Sequence, residues 1–130
     1  MVVEHRSTCQ AEELKLRTRQ LAVRIVKLYR RLPKTGEARV IGNQVLRSGT
    51  SVAANYRAAC RSRSKVEFIA KIGVVVEEID EPLFWLELLV ETAIMPRARM
   101  QSLLKEVNEL LAIFAASQRT ARTGRLSMDQ

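Results

Sequence analysis

The stretch Arg47–Ser64 reads RSGTSVAANYRAACRSRS, and its small central residues are compatible with two structures. A phosphate-binding loop of the GxxxxGK[ST] type needs a glycine-rich turn between a strand and a helix. This stretch has a single glycine, no lysine directly after it and no strand pattern before it. Ser48, Ser51 and Asn55 instead recur at three- and four-residue spacings, as on one face of a helix. The spacing therefore favours a helix over a loop.

A small helical face lets a neighbouring backbone approach closely. Ser48, Ser51 and Asn55 are accordingly predicted to be helix-packing residues. Asn55 would also hydrogen-bond across the contact and set its register, as a buried asparagine does in coiled coils.

Patterns on both sides of this stretch predict three further helices. An apolar stripe precedes it at spacings of three, four and seven, formed by Leu14, Leu21, Ile25, Leu28 and Leu32. Pro33 ends that helix, because the residue before a proline is pushed out of the α region, and Thr35 caps the second helix. The capping-box motif SKVE starts the third helix at about Lys65. A fourth helix begins at Pro96 and stops at Gly124.

The third predicted helix has two unusual features, a proline and a wide apolar face. Pro82 removes one backbone hydrogen bond and so kinks or splits the helix. The apolar periodicity resumes in phase after it, which favours a kink. The face is wider than one small bundle buries, which predicts an oligomer or partner interface. The residues that widen it are Phe84, Trp85, Leu88 and Leu89.

Length and composition complete the prediction of the fold. The chain has 130 residues, of which 47% are apolar and 28% charged, as in one folded domain. No strand alternation is present, so four helices with short loops predict an all-α, antiparallel up-and-down four-helix bundle. The predicted domain spans residues 1–130, with an ordered core at about 12–122 between frayed tails. No apolar run reaches the roughly 18 residues of a membrane span and no secretory signal is evident, so we expect a cytoplasmic protein with no membrane contact.

Charge is distributed along the chain in blocks. Residues 14–66 carry a net charge of +13 and residues 67–94 a net charge of −6, within a total of +8. Such a basic region attracts nucleic acid by counterion release, without reading base sequence. The predicted phosphate-contacting residues are Arg17, Arg24, Lys27, Arg31, Lys34, Arg57, Arg61, Arg63 and Lys65. The basic region contains only two aromatic residues, Tyr29 and Tyr56. This scarcity favours contact with the backbone of structured RNA or a duplex over base stacking.

Instead of binding nucleic acid, the basic region could be neutralised by the acidic third helix, either within a subunit or between copies. The acids of that helix are Glu77, Glu78, Asp80, Glu81, Glu87 and Glu91. They are fewer than the bases, so full pairing still leaves an excess of positive charge. A run of this kind is more often a solvated or interfacial helix face than a cation site, and no metal is predicted.

Catalytic residues are not evident. His5 is the only histidine, so the chain cannot assemble a catalytic triad or a Glu-x-x-His metal bundle. His5, Cys9 and Cys60 lack both the spacing and the fourth ligand of a zinc site. We therefore expect no enzyme and no cofactor, and both cysteines are expected to be reduced.

Two motifs, RSGTSVAANYRAACRSRSKVEF and KIGVVVEEIDEPLFWLELL, resemble a known family. It comprises the bacterial four-helix bundle proteins first described as products of intervening sequences within 23S ribosomal RNA genes. The resemblance is specific over residues 46–90 and looser over about 14–122. Two positions depart from the family pattern. Ala58 stands where an acid is common, so no intersubunit ion pair is expected at that site. Pro82 stands where a small or polar residue is usual, so the helix is not expected to be straight there.

The resemblance implies a four-helix bundle that assembles into a ring-like homo-oligomer, usually a pentamer. The family is similar to the accessory protein of diversity-generating retroelements, a basic pentameric barrel that binds nucleic acid and a reverse transcriptase. The sequence thus predicts a non-enzymatic oligomer that binds nucleic acid, RNA or DNA. The alternative is an oligomeric adaptor or scaffold that docks a protein partner on the apolar surface of the third helix.

Overall fold

Four helices build the described chain. The computed structural model describes the backbone of residues 2–129 and the side chains of residues 9–124. The helices are α1 (Val2–Arg31), α2 (Gly36–Cys60), α3 (Lys65–Glu91) and α4 (Arg97–Asp129). Each packs against the next one along the chain, and α1 and α4 contact each other less closely. The prediction of an all-α, up-and-down four-helix bundle is confirmed.

A buried stripe with alternating spacings of three and four runs along each helix. On α1 it comprises Leu14, Thr18, Leu21, Ile25 and Leu28, and Leu32 continues it directly after the helix. On α2 it comprises Ala38, Gly42, Val45, Gly49, Val52, Tyr56 and Ala59. α3 and α4 have buried stripes with the same spacings, from Ile72 to Leu89 and from Met100 to Phe114. A mean spacing of about 3.5 residues is that of coiled-coil-like packing, which explains the near-antiparallel bundle.

The stretch that contains Arg47 is helical as far as Cys60, so the loop alternative is wrong. Two glycines let α2 lie close to α1. A Cβ atom built on Gly49 would lie 2.2 Å from Cδ1 of Ile25, and one built on Gly42 would lie 2.8 Å from Cδ1 of Leu32. Neither glycine has a positive φ, so the backbone does not need the conformational freedom of glycine here. The two glycines allow the close contact because they have no side chain.

The three predicted packing residues have different roles. Ser48 is buried and donates a hydrogen bond to the Gln44 carbonyl of its own helix, at 2.7 Å. Ser51 donates to Oε2 of Glu78 at 2.8 Å and so links α2 to α3. Asn55 is half-buried, and its amide makes no hydrogen bond among the described side chains. The polar link expected from Asn55 is therefore made by Ser51.

The helix starts are only partly as predicted. Ser64 accepts a hydrogen bond from the Glu67 N–H at 3.1 Å, so the capping motif is confirmed. The Glu67 carboxylate accepts from the Arg63 N–H at 3.0 Å, and this bond, followed by the contact with Lys71, lowers the pKa of Glu67. Thr35 occupies the cap position of α2, but its side chain makes no capping hydrogen bond.

Helix interruptions are fewer than the sequence indicates. α3 is continuous through the buried Pro82, so the proline does not split it. α4 continues past Gly124 to Asp129, so the predicted stop is wrong. One glycine costs a helix only about 1 kcal/mol relative to alanine, which is too little to end it. In both segments predicted as frayed tails, the described backbone, from Val2 and as far as Asp129, is helical. No helix in the described range is long and apolar enough to cross a membrane.

Candidate functional site

The antiparallel topology separates the predicted cations into two groups. α2 has 25 residues, a length of about 37 Å at the rise of an α-helix. α1 and α3 end at one end of the bundle, which we call the basic end, where α2 and α4 begin. The opposite end, which we call the turn end, holds the α2–α3 connection. Lys27, Arg31 and Lys34 lie at the basic end. Arg57, Arg61, Arg63 and Lys65 lie at the turn end, so a subunit presents two basic groups instead of one surface.

Arg17 is neutralised inside the subunit. Its Nε and Nη2 donate to the two carboxylate oxygens of Glu106 at 3.1 and 2.7 Å, and Nη2 also donates to Glu109 at 3.2 Å. The hydrogen bond to Glu106 is the main cause that raises the pKa of Arg17. Arg24 forms a second link, from its guanidinium to Ser102 Oγ at 3.0 Å. Arg17 therefore connects α1 to α4, and acids of the same subunit compensate its charge.

Seven exposed cations lie at the basic end. They are Lys27, Arg30, Arg31, Lys34, Arg39, Arg97 and Arg99, which together we call the basic cluster. Among the described side chains, every ion pair lies elsewhere, from Lys15 to Glu12, from Arg17 to α4 and from Lys71 to Glu67. The acids Glu37 and Glu91 lie at the same end but do not pair with the cluster. The basic cluster thus keeps its charge available to a ligand.

Four members of the basic cluster were not among the residues predicted from the sequence: Arg30, Arg39, Arg97 and Arg99. The signal for two of them is their place in a helix. The first turn of α4 contains Arg97 and Arg99 and no acid. A helix N-terminus carries a partial positive charge, so each cation there costs about 0.3 to 1 kcal/mol. Arg30 and Arg31, in the last turn of α1, are favoured by the same dipole. Interaction with the helix dipole therefore accounts for the two arginines at the end of α1, but not for the two arginines at the start of α4.

The turn end carries exposed cations as well, but acids pair with lysines there. Arg57, Arg61 and Arg63 are exposed at this end, as are Arg119 and Arg122 late in α4, whereas Glu12 and Glu67 form ion pairs with Lys15 and Lys71. A cavity of about 800 Å³ lies beside them, and its lining from all four helices is mostly apolar and hydroxyl groups but includes the charged Glu12 and Lys15. Burial raises the pKa of both Tyr56 and Cys60 in its wall, so each of the two is neutral at neutral pH.

The apolar patch on α3 is smaller than predicted. Leu89 is fully buried in the bundle core, three residues after Leu86 on the core stripe, so its assignment to a surface is wrong. Phe84 is 56% exposed and packs edge to face on Trp85, with ring centroids 4.9 Å apart. Trp85 and Leu88 are half-buried. Phe84, Trp85 and Leu88 form what we call the α3 patch.

Metal-binding geometry is not present in the described part of the chain. No group of three or more His, Cys, Asp or Glu side chains is placed there to hold a metal ion. Glu78, one of the acids of α3, instead accepts the hydrogen bond from Ser51. Cys9 and Cys60 form no disulfide, and the His5 side chain lies outside the described residues.

Comparison with known proteins agrees with this architecture. Residues 12–116 match the 23S rRNA-intervening sequence protein family. A crystal structure of a protein of unknown function from the S23 ribosomal protein family of Bacteroides thetaiotaomicron is similar, with a TM-score of 0.77 and 33% identity. The similarity covers 84% of this chain and 97% of that chain. No curated protein matches the chain, and neither similarity indicates an enzyme family. The chain belongs to the 23S rRNA-intervening sequence protein family.

Proposed function

We propose that this protein is a non-enzymatic, cytoplasmic homo-oligomer, a pentameric ring, that binds the phosphate backbone of structured RNA. The basic cluster carries the proposal, because its cations are exposed and none of them forms an ion pair with a described side chain. Two of them, Arg97 and Arg99, lie at positions that the helix dipole disfavours. A phosphate ligand compensates for that unfavourable placement.

Ring assembly would multiply this charge. Rotation about one axis keeps equivalent residues at the same height along that axis, so the basic clusters of all copies would form one band. A band of guanidinium and ammonium groups raises the local concentration of polyanions and speeds their association. Tyr29 is the one aromatic residue beside the cluster within the described range. The ligand is therefore recognised chiefly through its backbone and shape, as double-stranded RNA is.

Family membership supports RNA as the polyanion. The family is named after an intervening sequence of 23S ribosomal RNA, and the similar crystal structure is assigned to a ribosomal protein family. The resemblance to the basic accessory protein of retroelements supports a nucleic acid as the ligand.

Binding at several salt concentrations tests the proposal. The purified, nuclease-treated protein is titrated into a fluorescent RNA hairpin and into a DNA duplex of matched sequence, and fluorescence anisotropy is followed. The logarithm of the association constant should fall linearly with the logarithm of salt, with a slope of about −0.9 for each duplex phosphate engaged. Negligible binding at low salt to either ligand would refute the proposal.

Reversing the charge of both arginines in the first turn of α4 should separate stability from binding. In Arg97→Glu/Arg99→Glu, the acids suit the helix dipole, so the free energy of unfolding should rise by about 1 kcal/mol. RNA affinity should fall at least about tenfold, because the variant cannot form charge-assisted hydrogen bonds to phosphate at these positions. Urea denaturation at constant protein concentration and anisotropy measure the two effects.

The matched control is Arg30→Glu/Arg31→Glu, which makes the same change of charge in the last turn of α1. Here the acids oppose the dipole, so the free energy of unfolding should fall instead of rising. RNA affinity that stays unchanged in the α4 variant would exclude α4 from the interface.

A second candidate function is an oligomeric adaptor that docks a protein on the α3 patch. The exposure of Phe84, at 56% of its surface, is the observation that favours it. A large aromatic ring on a monomer surface commonly marks a contact with another chain. The same patch also suits contacts between copies of this protein.

Replacing Phe84 by serine should distinguish these two uses. If the α3 patch joins subunits, Phe84→Ser should lower the mass measured by light scattering toward that of a monomer, because a buried aromatic typically contributes a few kcal/mol to an interface. Val40→Ser, at another residue that is 63% exposed, is the control and should leave the mass unchanged. An unchanged mass for both variants would assign the patch to a different protein.

A further inference from the structure

A cavity of about 550 Å³ lies at the basic end, where α1 meets α2. Its lining residues are Tyr29, Arg30, Leu32, Pro33, Lys34, Ala38 and Arg39. This lining includes cations from α1, from the connection and from α2, but no acid. Leu32 and Ala38 are buried and make an apolar floor. A volume of this size is typical of small-molecule sites, which commonly span about 300–1,000 Å³.

The walls of this cavity are held by packing within the subunit. The Tyr29 hydroxyl donates to Asn43 Oδ1 of α2 at 2.9 Å, which orients the ring. Gly42 lies beneath, and a Cβ atom built on it would meet the Tyr29 ring at 3.4 Å and Leu32 at 2.8 Å. The absence of a side chain at Gly42 lets both residues settle on α2. A wall oriented in this way loses little conformational entropy when a ligand binds.

The lining indicates the chemistry of the ligand. Three cations without an acid favour a group with more than one negative charge, and a phosphate monoester carries about −1.5 to −2 at pH 7. A phosphodiester inside a strand has a single charge and continues on both sides, which suits a convex surface better than a cavity. The Tyr29 ring and the apolar floor suit a sugar or a base attached to the phosphate, since bases stack on aromatic rings.

From this lining we infer that the cavity binds the phosphate monoester of a nucleotide, either at the end of an RNA strand or in a free mononucleotide. In its RNA form the inference rests on the proposed function and adds end recognition to it. The guanidinium groups of Arg30 and Arg39 would bind the phosphate oxygens, and the Lys34 ammonium would add charge. The face of Tyr29 would contact the nucleoside.

Two paired comparisons test this inference. Calorimetry compares AMP with adenosine, and anisotropy compares one short RNA with a 5′-phosphate and with a 5′-hydroxyl. We expect the phosphorylated partner to bind at least about tenfold more tightly in each comparison. Arg30→Gln/Lys34→Gln/Arg39→Gln should abolish that preference. The control Arg57→Gln/Arg61→Gln/Arg63→Gln removes the same charge at the turn end and should retain the preference.

The outcomes separate this inference from the proposed function. RNA that binds with a steep salt dependence, but equally well with and without a terminal phosphate, together with no binding of AMP, would overturn the cavity assignment and leave backbone binding in place. AMP that binds the wild type and not the cavity variant, with no binding of long RNA, would support the cavity and refute the proposed function. Inorganic phosphate that binds as tightly as AMP would overturn the role of Tyr29 and the floor. Lys34→Gln alone, a change at one exposed residue, provides the same comparison if the triple variant does not fold.

Discussion

Changing Lys27, Arg31 and Lys34 together to glutamate is expected to weaken RNA binding by about 100-fold or more. Hydrogen bonds to charged groups contribute about 1.5 to 3 kcal/mol each, so the loss of three exceeds a factor of 100 even before the added repulsion is counted. All three residues are exposed at the basic end, where no acid pairs with them. Anisotropy with the RNA hairpin measures the affinity.

The salt dependence should change along with the affinity. The slope of log association constant against log salt should become shallower by about 0.9 for each phosphate that the variant no longer binds. The control changes Arg19, Arg47 and Lys105 to glutamate, because these are exposed cations that do not belong to the basic cluster. An equal loss of affinity in both variants would show that binding follows net charge and not the basic end. Circular dichroism and light scattering check that fold and mass are retained.

Replacing Gly49 by alanine is expected to destabilise the fold, although alanine is the better helix former. The new Cβ atom would lie 2.2 Å from Cδ1 of Ile25, and 3.2 and 3.3 Å from its Cγ2 and Cγ1. Ile25 is completely buried, so it has no open space to move into. Overpacking of this kind costs about 1 to 3 kcal/mol, against about 1 kcal/mol gained from helix propensity. Urea denaturation should therefore show a net loss of up to about 2 kcal/mol in the free energy of unfolding.

A double-mutant cycle identifies the clash as the cause. Ile25→Val removes Cδ1 and by itself costs about 1 kcal/mol. Combined with Gly49→Ala it should cost less than the sum of the single changes, because part of the clash is relieved. Gly36→Ala, where nothing lies within 4 Å of the new Cβ atom, is the control and should not destabilise. Strict additivity would contradict the close contact between α1 and α2. All variants are compared at one protein concentration, since assembly adds to apparent stability.

Periodicity predicted the helices well because each helix buries one stripe at spacings of three and four. Leu14, Leu21 and Ile25 on α1 follow it directly. The same signal failed for Leu89, because a wide apolar face does not reveal which of its residues face the core. The helix end predicted at Gly124 was wrong for another reason. The free-energy cost of one glycine in a helix is small compared with the hydrogen bonds of a long helix.

Close packing between helices left a weaker signal than the apolar stripes did. Gly42 and Gly49 lie seven residues apart on the stripe of α2, the same heptad spacing that predicted the apolar faces. The serines around these glycines form the more visible pattern, so the spacing alone did not indicate a close approach at the glycines. Only the position of α1 shows that Ile25 and Leu32 fill the space above them.

The sequence by itself determined the four helices, the capping motif at Ser64, the bundle and the family. These follow from spacings within one helix, which local hydrogen bonding and burial convert directly into structure. Only the tertiary structure decided which cations remain available for a ligand. Arg17 meets Glu106 across 89 positions of sequence and is neutralised, whereas Arg97 and Arg99 are brought to the end of the bundle that also holds Arg31. Charge pairing depends on distances between helices, and no spacing along a single chain specifies those distances.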